Sequence, residues 1–281
     1  MGNTDTVDYI QISTKGNATD FGNLSSARRI SHSVSSSVRF IDAGGYVDAV
    51  TDAMDYFTLA TTGNSADFGN LIRAKQTPGA CSSSTRGCWM GGDNNAGTYY
   101  NEIDYVTLAT LGNAADFGDM LTNSFCGFGL GSPTRGLRGG GSNAGGYIDV
   151  IEFIVIASTG NATDFGNLIR AKRALGGASN SIRGLWFGGY TGSRVAEIDY
   201  VTIASEGNAG DFGDLTGTSN QSSGVSNYTR AICARGETGS ASNVLEYVTI
   251  LSLSNSVDFG DLTLARGYCS GISGAHGGLQ G

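Results

Sequence analysis

A six-bladed, all-β propeller is the fold class this sequence predicts, and three observations predict it. The first is a repeat. The triplet Asp-Phe-Gly begins at Asp20, Asp67, Asp116, Asp164, Asp211 and Asp258, at intervals of 47, 49, 48, 47 and 47 residues. Six such periods account for the whole 281-residue chain, and a period of this length belongs to propellers and solenoids. The second is local content. Each period carries short runs rich in β-branched and aromatic residues, bounded by Gly and Asn, and no window sustains a 3.6-residue apolar period. Four short strands per period, apolar on both faces, bury those faces only by standing in a ring. The third is phase. The chain opens on one strand of a blade, Asp8-Tyr9-Ile10-Gln11-Ile12, and stops inside a different strand, at 275–281. The two ends are therefore expected to share one closing blade, which removes the free sheet edge. A single domain spanning 1–281 follows.

The elements of one period come in a fixed order, with the second as reference. A glycine-ended strand comes first, Arg86-Gly87-Cys88-Trp89-Met90-Gly91-Gly92, with equivalents starting at Arg39, Arg135, Arg183 and Arg230. In the last copy Gly277 stands where the others have Arg. Its small residues, Gly87, Gly136, Gly184 and Ala231, suit the innermost position, where strands crowd the axis. A variable loop follows. Next is an acid-bearing strand, Ile103 to Thr110, whose acid precedes each triplet by 12 residues: Asp8, Asp55, Asp104, Glu152, Asp199, Glu246. A Gly-Asn pair such as Gly63-Asn64 or Gly112-Asn113 tolerates positive φ and predicts a tight hairpin turn into the triplet strand. The triplet's Phe and the apolar residue three later supply packing. The polar stretch that follows, 72–84 in this period, reads as a weak outer strand and a loop to the next period.

Composition excludes several functions. Charged residues are 15%, the net charge is −8 and the pI is about 4.7, which argues against a nucleic-acid partner. No apolar run approaches the length of a membrane helix. Residues 1–20 lack a basic start and an apolar core, so no signal peptide is expected. The five cysteines have no CxxC spacing and read as small buried hydrophobes in a reducing compartment.

The glycine-pair strand and the four-stranded repeat resemble kelch-type propellers, although the paired Tyr and Trp of kelch blades are not regularly placed here. The phrase Ile198-Asp199-Tyr200-Val201-Thr202-Ile203-Ala204-Ser205, with Gly207-Asn208-Ala209 and Asp211-Phe212-Gly213-Asp214-Leu215, resembles repeat proteins of marine bacteriophages and other aquatic viruses. So does Ser82-Ser83-Ser84-Thr85-Arg86-Gly87 before its glycine pair. The resemblance covers all six periods. It implies a tail, fibre or decoration component located in the virion. The partners it implies are other virion proteins or a host-surface glycan or protein, within an assembly that can include further copies of this chain.

Asp-Phe-Gly also holds Mg²⁺ in protein kinases. Six copies with no phosphate loop, no lysine-bearing strand and no His-Arg-Asp exclude that chemistry. Each Gly-Asn-Ala-x-Asp offers too few oxygens for Ca²⁺, so neither metal nor cofactor is expected. Arg39, Arg86, Arg135, Arg183 and Arg230 each fall 19 residues after a triplet Asp. They predict structural ion pairs with Asp20, Asp67, Asp116, Asp164 and Asp211 and with the strand acids. The alternative is an arginine-lined channel that binds an anion. His32 and His276 occupy unrelated positions, no catalytic constellation appears, and a non-enzymatic function is expected. A propeller hydrolase acting on carbohydrate and a cellular kelch-type scaffold are the alternatives.

Recognition is expected where the period is broken. The residue three after each arginine changes chemistry from copy to copy, giving Asp42, Trp89, Arg138, Trp186 and Cys233. The variable loops carry Tyr46, Tyr99, Tyr100, Tyr147 and Tyr190, and loops on a rigid scaffold commonly carry binding. The candidate binding residues are Trp89, Tyr99, Tyr100, Arg138, Tyr147, Trp186 and Tyr190.

Overall fold

Each period folds as one small antiparallel sheet. The computed structural model describes residues 2–273. The chain begins with a two-stranded sheet, β1 (Thr4–Tyr9) and β2 (Thr19–Arg28). Five four-stranded sheets follow. The first is β3 (His32–Ser35), β4 (Arg39–Ala43), β5 (Ala53–Thr58) and β6 (Ala66–Asn70). The second is β7 (Gly79–Ser82), β8 (Arg86–Asp93), β9 (Tyr99–Thr107) and β10 (Ala115–Asp119). The third is β11 (Phe128–Gly131), β12 (Arg135–Asn143), β13 (Gly146–Val155) and β14 (Thr163–Asn167). The fourth is β15 (Gly176–Ser179), β16 (Arg183–Phe187), β17 (Val195–Thr202) and β18 (Gly210–Ser219). The fifth is β19 (Ser223–Ser226), β20 (Arg230–Ala234), β21 (Ser242–Thr249) and β22 (Val257–Arg266). Within each sheet the strands lie in chain order. The first strands of successive sheets meet one another, which is the arrangement of a β-propeller. No helix occurs among the described residues.

The glycine-ended strand is second from the axis, a correction to its expected place. Innermost are β3, β7, β11, β15 and β19, drawn from the stretch expected at the outside because it is polar. Those four-residue strands are almost wholly buried and rich in Gly, Ser and Ala. At alternate positions the neighbouring strand leaves no room for a side chain: a Cβ on Gly129 would stand 2.3 Å from the Ala80 carbonyl oxygen. A serine hydroxyl reaches the neighbouring blade, so its burial leaves nothing unpaired. Ser179 Oγ donates to the Gly131 carbonyl and Ser226 Oγ to the Ser179 carbonyl, both at 2.7 Å. The Ser35 amide donates to Ser82 Oγ at 3.2 Å.

The acid-bearing and triplet strands do pair as antiparallel neighbours, but Gly-Asn is not their turn. In the second sheet the chain reverses earlier, where the Thr110 amide donates to the Thr107 carbonyl at 3.3 Å. Gly112-Asn113 then lies along the outer strand of the preceding sheet. The Gly112 amide donates to Phe68 O at 2.9 Å, and Asn113 Oδ1 accepts the Asn70 amide at 3.0 Å. The asparagine contact recurs at Asn64, Asn161, Asn208 and Asn255. Asn17 makes it too, accepting the Asp261 amide at 3.1 Å and so joining the first sheet to the last.

This docking explains the triplet. A Cβ on Gly118 would stand 2.5 Å from the Gly160 carbonyl oxygen of the next period, at φ +143. Phe117 is 2% exposed and meets the edge of Tyr105 at 5.8 Å between centroids. The same edge-on pair of triplet Phe and acid-strand aromatic recurs in every sheet. The triplet Asp is exposed.

At the axis, Ile30, Thr77, Cys126, Ala174, Gln221 and Tyr268 all adopt left-handed backbone, with φ between 52 and 62. Each amide donates to the carbonyl of the equivalent residue one period earlier, at 2.6–3.3 Å. The Ile30 amide donates to the Tyr268 carbonyl at 3.0 Å, which returns this ring to its start. β-Branched residues rarely take that conformation, and here a bond to each neighbour holds them in it.

The segment after Tyr268 runs beside β3 and β19: the Ser33 amide donates to Ser270 Oγ at 2.9 Å and the Ser226 amide to Ser273 Oγ at 3.0 Å. Between this segment and β1 lies a largely apolar groove of about 510 Å³, lined in part by Ile10, Ile12, Phe21, Phe40, Ile232 and Leu245. In the five other sheets the second strand occupies that place. The strand expected at 275–281 lies outside the described residues.

Phe117→Ala is expected to cost about 3–5 kcal/mol in urea unfolding, the ordinary loss for a buried phenylalanine. A loss under about 1 kcal/mol would contradict its placement. Gly118→Ala is expected to cost about 2–3 kcal/mol, because the added carbon meets backbone that cannot move aside cheaply.

Candidate interaction face

Before any surface can bind, the blades must be locked, and the strand acids do that. Each takes an amide from the residue five beyond the preceding triplet Asp. Ile72 donates to Asp104 at 3.2 Å, Leu121 to Glu152 at 2.9 Å and Ile169 to Asp199 at 3.1 Å. Ser25, Thr216 and Thr263 do the same for Asp55, Glu246 and Asp8. Five of the six acids also pair with a cation. Lys75 Nζ lies 2.9 Å from Asp104, Lys172 Nζ 2.8 Å from Asp199 and Arg28 2.5 Å from Asp55, while Arg266 pairs with Asp8. These four cations stand eight residues after a triplet Asp.

In the two remaining periods that position is Ser124 or Ser219, and the arrangement changes as a unit. The acid is then Glu rather than Asp, and the cation is an Arg carried by or just beyond the second strand. Arg235 Nε lies 3.2 Å from Glu246. Arg138 is the register partner of Glu152, and its guanidinium donates to Ser124 Oγ at 2.8 Å. Burial pulls the Arg138 pKa down to about 10, opposed by Glu152. Burial likewise pushes the Glu152 carboxyl upward, against the Leu121 amide and Arg138.

The five repeated arginines do not pair with the triplet aspartates, and this corrects the expected ion pairs. Arg39, Arg86, Arg135, Arg183 and Arg230 each lie over the acid-strand aromatic ring of their own sheet, 4.6–5.0 Å from its centroid. Each donates to a backbone carbonyl in a neighbouring period: Leu108, Ile156, Ile203, Ile250 and Ile12. Asp20, Asp67, Asp116, Asp164 and Asp211 are exposed. A charge beside a ring and a carbonyl stays at the blade seam, while a triplet Asp in water gains little from a distant guanidinium. Nor do these arginines line a channel, since their strands are second from the axis.

The candidate binding residues divide into two groups. Trp89, Trp186 and Arg138 are buried, which removes them from the surface. Trp89 Nε1 donates to the His32 carbonyl at 2.8 Å and Trp186 Nε1 to Phe128 O at 3.0 Å. The tyrosines are at least partly exposed, and the structure brings most of them together. Tyr99 stacks on Phe125 with centroids 4.8 Å apart and planes within 5°. Tyr147 meets Tyr190 edge-on at 6.0 Å. The Arg173 guanidinium sits among them, 5.9 Å from the Phe125 ring, 5.4 Å from Tyr147 and 5.8 Å from Tyr190. Tyr100 stands apart, under Arg73 at 4.9 Å.

Phe125 and Arg173 are the residues sequence reasoning misses. Both stand nine after a triplet Asp, where the periods give Arg29, Gln76, Phe125, Arg173 and Asn220. That variability was a usable signal. Single bridges tie Phe125 to Ser142 and Arg173 to Tyr190, so loops and position nine form one rim. Beside it the left-handed ring encloses an axial pit of about 40 Å³. Burial pushes the pKa of Cys126 in that pit to about 11, which leaves it a neutral thiol. Among the described residues no group of three or more His, Cys, Asp or Glu is placed to hold a metal, and no helix is long and apolar enough to cross a membrane. No protein-family model matches the chain, and no curated protein matches it.

Asp104→Asn strands the buried Lys75 ammonium and is expected to cost about 3–5 kcal/mol in chemical denaturation. Adding Lys75→Met should recover most of that loss. If the double variant is no better than the single, the ammonium is not the cause.

Proposed function

We propose that this chain is a non-enzymatic recognition module, a structural or adhesion component of a virus particle that binds a virion protein or a host-surface glycan through the Tyr99–Phe125–Tyr147–Tyr190 face. The observation that carries the reading is the gathering of four aromatic rings and one arginine from non-repeating positions onto one rim. Repeated residues are consumed by the seams between blades, and those that depart from the period and also stand at the rim are left to serve a ligand. Tyrosine contributes large contact area at small entropic cost. The virion setting rests on the resemblance of the repeat phrase.

The same proposal includes a closed six-bladed ring, with one blade shared between the two ends of the chain. Three rings of contacts support it. The left-handed amides, the asparagine docking and the acid–amide bonds each run through all six periods. Leu279 falls where the five other periods place the buried Ile41, Cys88, Leu137, Leu185 and Ile232.

Recognition itself is tested by replacing Tyr147 and Tyr190 together with Ala, then measuring retention on host cells and on purified virions. The expected result is at least a tenfold loss of binding with the melting temperature nearly unchanged. Full retention would remove this face from the reading.

A further inference from the structure

We infer that the ligand of this face is an anionic saccharide, with its carboxylate or sulfate held by Arg173 and its ring laid against Tyr147 and Tyr190. The inference rests on the recognition reading above and adds the ligand's chemistry. The rim presents two features together. One is a set of partly exposed aromatic planes, which suit the C–H face of a sugar. The other is a cation that no acid pairs with.

Arg173 is distinguished by what it lacks. Its neighbours on the adjoining loops have acids: Arg194 lies 3.7 Å from Glu237, and Arg73 pairs with Glu102. The Arg173 guanidinium makes no ion pair and no hydrogen bond among the described residues. Three rings at 5.4–5.9 Å flank it and restrict its position. A guanidinium held beside rings keeps its planar fork of donors available, and that fork matches a carboxylate or sulfate.

The overall charge of −8 does not oppose this. The exposed triplet aspartates belong to the triplet strands, the outermost in their sheets. They lie at the perimeter, and exposed charges more than about 8 Å apart are largely screened at physiological salt.

The test is titration calorimetry of the full chain with three probes: a heparin-derived hexasaccharide, trigalacturonate and neutral maltohexaose. At least one anionic probe is expected to bind ten times more tightly than the neutral one, and sulfate against carboxylate preference identifies which group is read. Arg173→Gln should weaken that binding at least tenfold and flatten its salt dependence. Arg194→Gln, which removes the same charge from a neighbouring loop, should stay within twofold. Melting curves identify any variant that has failed to fold, and in that case Arg173→Lys, which keeps the charge and loses the fork, takes its place with an intermediate loss expected. Equal binding of neutral and anionic probes overturns the inference, as does an Arg173→Gln variant that binds normally. If the Tyr147 and Tyr190 replacements still abolish binding in that case, recognition by this face survives and only the anion assignment falls. Binding of an acidic peptide with no saccharide bound overturns it in favour of a protein partner. Silence from all probes, with host-cell retention unaffected by the tyrosine replacements, removes both readings.

Discussion

A buried carboxylate on each acid-bearing strand, met by an amide and, in all but Glu152, by an ion-paired cation, is the contact on which the rest of this propeller depends. No sheet here can shield its own faces, so the architecture exists only if neighbours are held in register. Apolar packing between blades supplies attraction but little direction. The acid supplies direction, because its oxygens must face a particular amide in the preceding period and a particular charged group. Buried ion pairs are poor sources of net stability, yet a stranded one is costly. That asymmetry makes the correct neighbour relation the cheap one.

Much of this was legible in the sequence. The period, the all-β character, the strand that begins at each repeated arginine and the antiparallel pairing of acid and triplet strands all followed from spacing and residue type. The innermost strand is misplaced because polarity is a poor guide to exposure here. Gly79–Ser82 and its equivalents are polar and lie at the centre, because a hydroxyl that bonds the next blade is no longer a polar group seeking water. Gly-Asn pairs have turn chemistry, but the same backbone freedom and side-chain oxygen suit docking on an edge. Arg and Asp at constant separation suggest attraction, but the arginines lie over the rings of Tyr56 or Tyr105 and pair with no triplet carboxylate. The true cations were visible at Arg28, Lys75, Lys172 and Arg266. They escaped notice because Ser124 and Ser219 interrupt the series.

The aromatic rim follows a different logic. Trp89 and Trp186 vary from blade to blade yet are interior, so variation alone does not mark a surface. Their indoles fill space against the preceding blade and donate to its backbone. Tyr99, Phe125, Tyr147 and Tyr190 vary and also stand at the rim, where no neighbour claims them. The sequence could nominate the loops. It could not show that a residue nine after a triplet folds up beside them, since that adjacency is made by the sheet and not by the chain.

The paired substitution of acid and cation also bears on how such an array can change by exchange between its own copies. Periods with Asp draw their charge from the segment before the sheet, and periods with Glu draw it from within or just after the second strand. A genetic crossover that fell between Ser124 and Arg138 would bring together halves of two incompatible solutions, with either two positive groups at one carboxylate or none. Near-identical copies are usually prone to lose or gain units through such events. Here the hidden incompatibility would penalise those recombinants whose joint falls in that stretch between unlike periods.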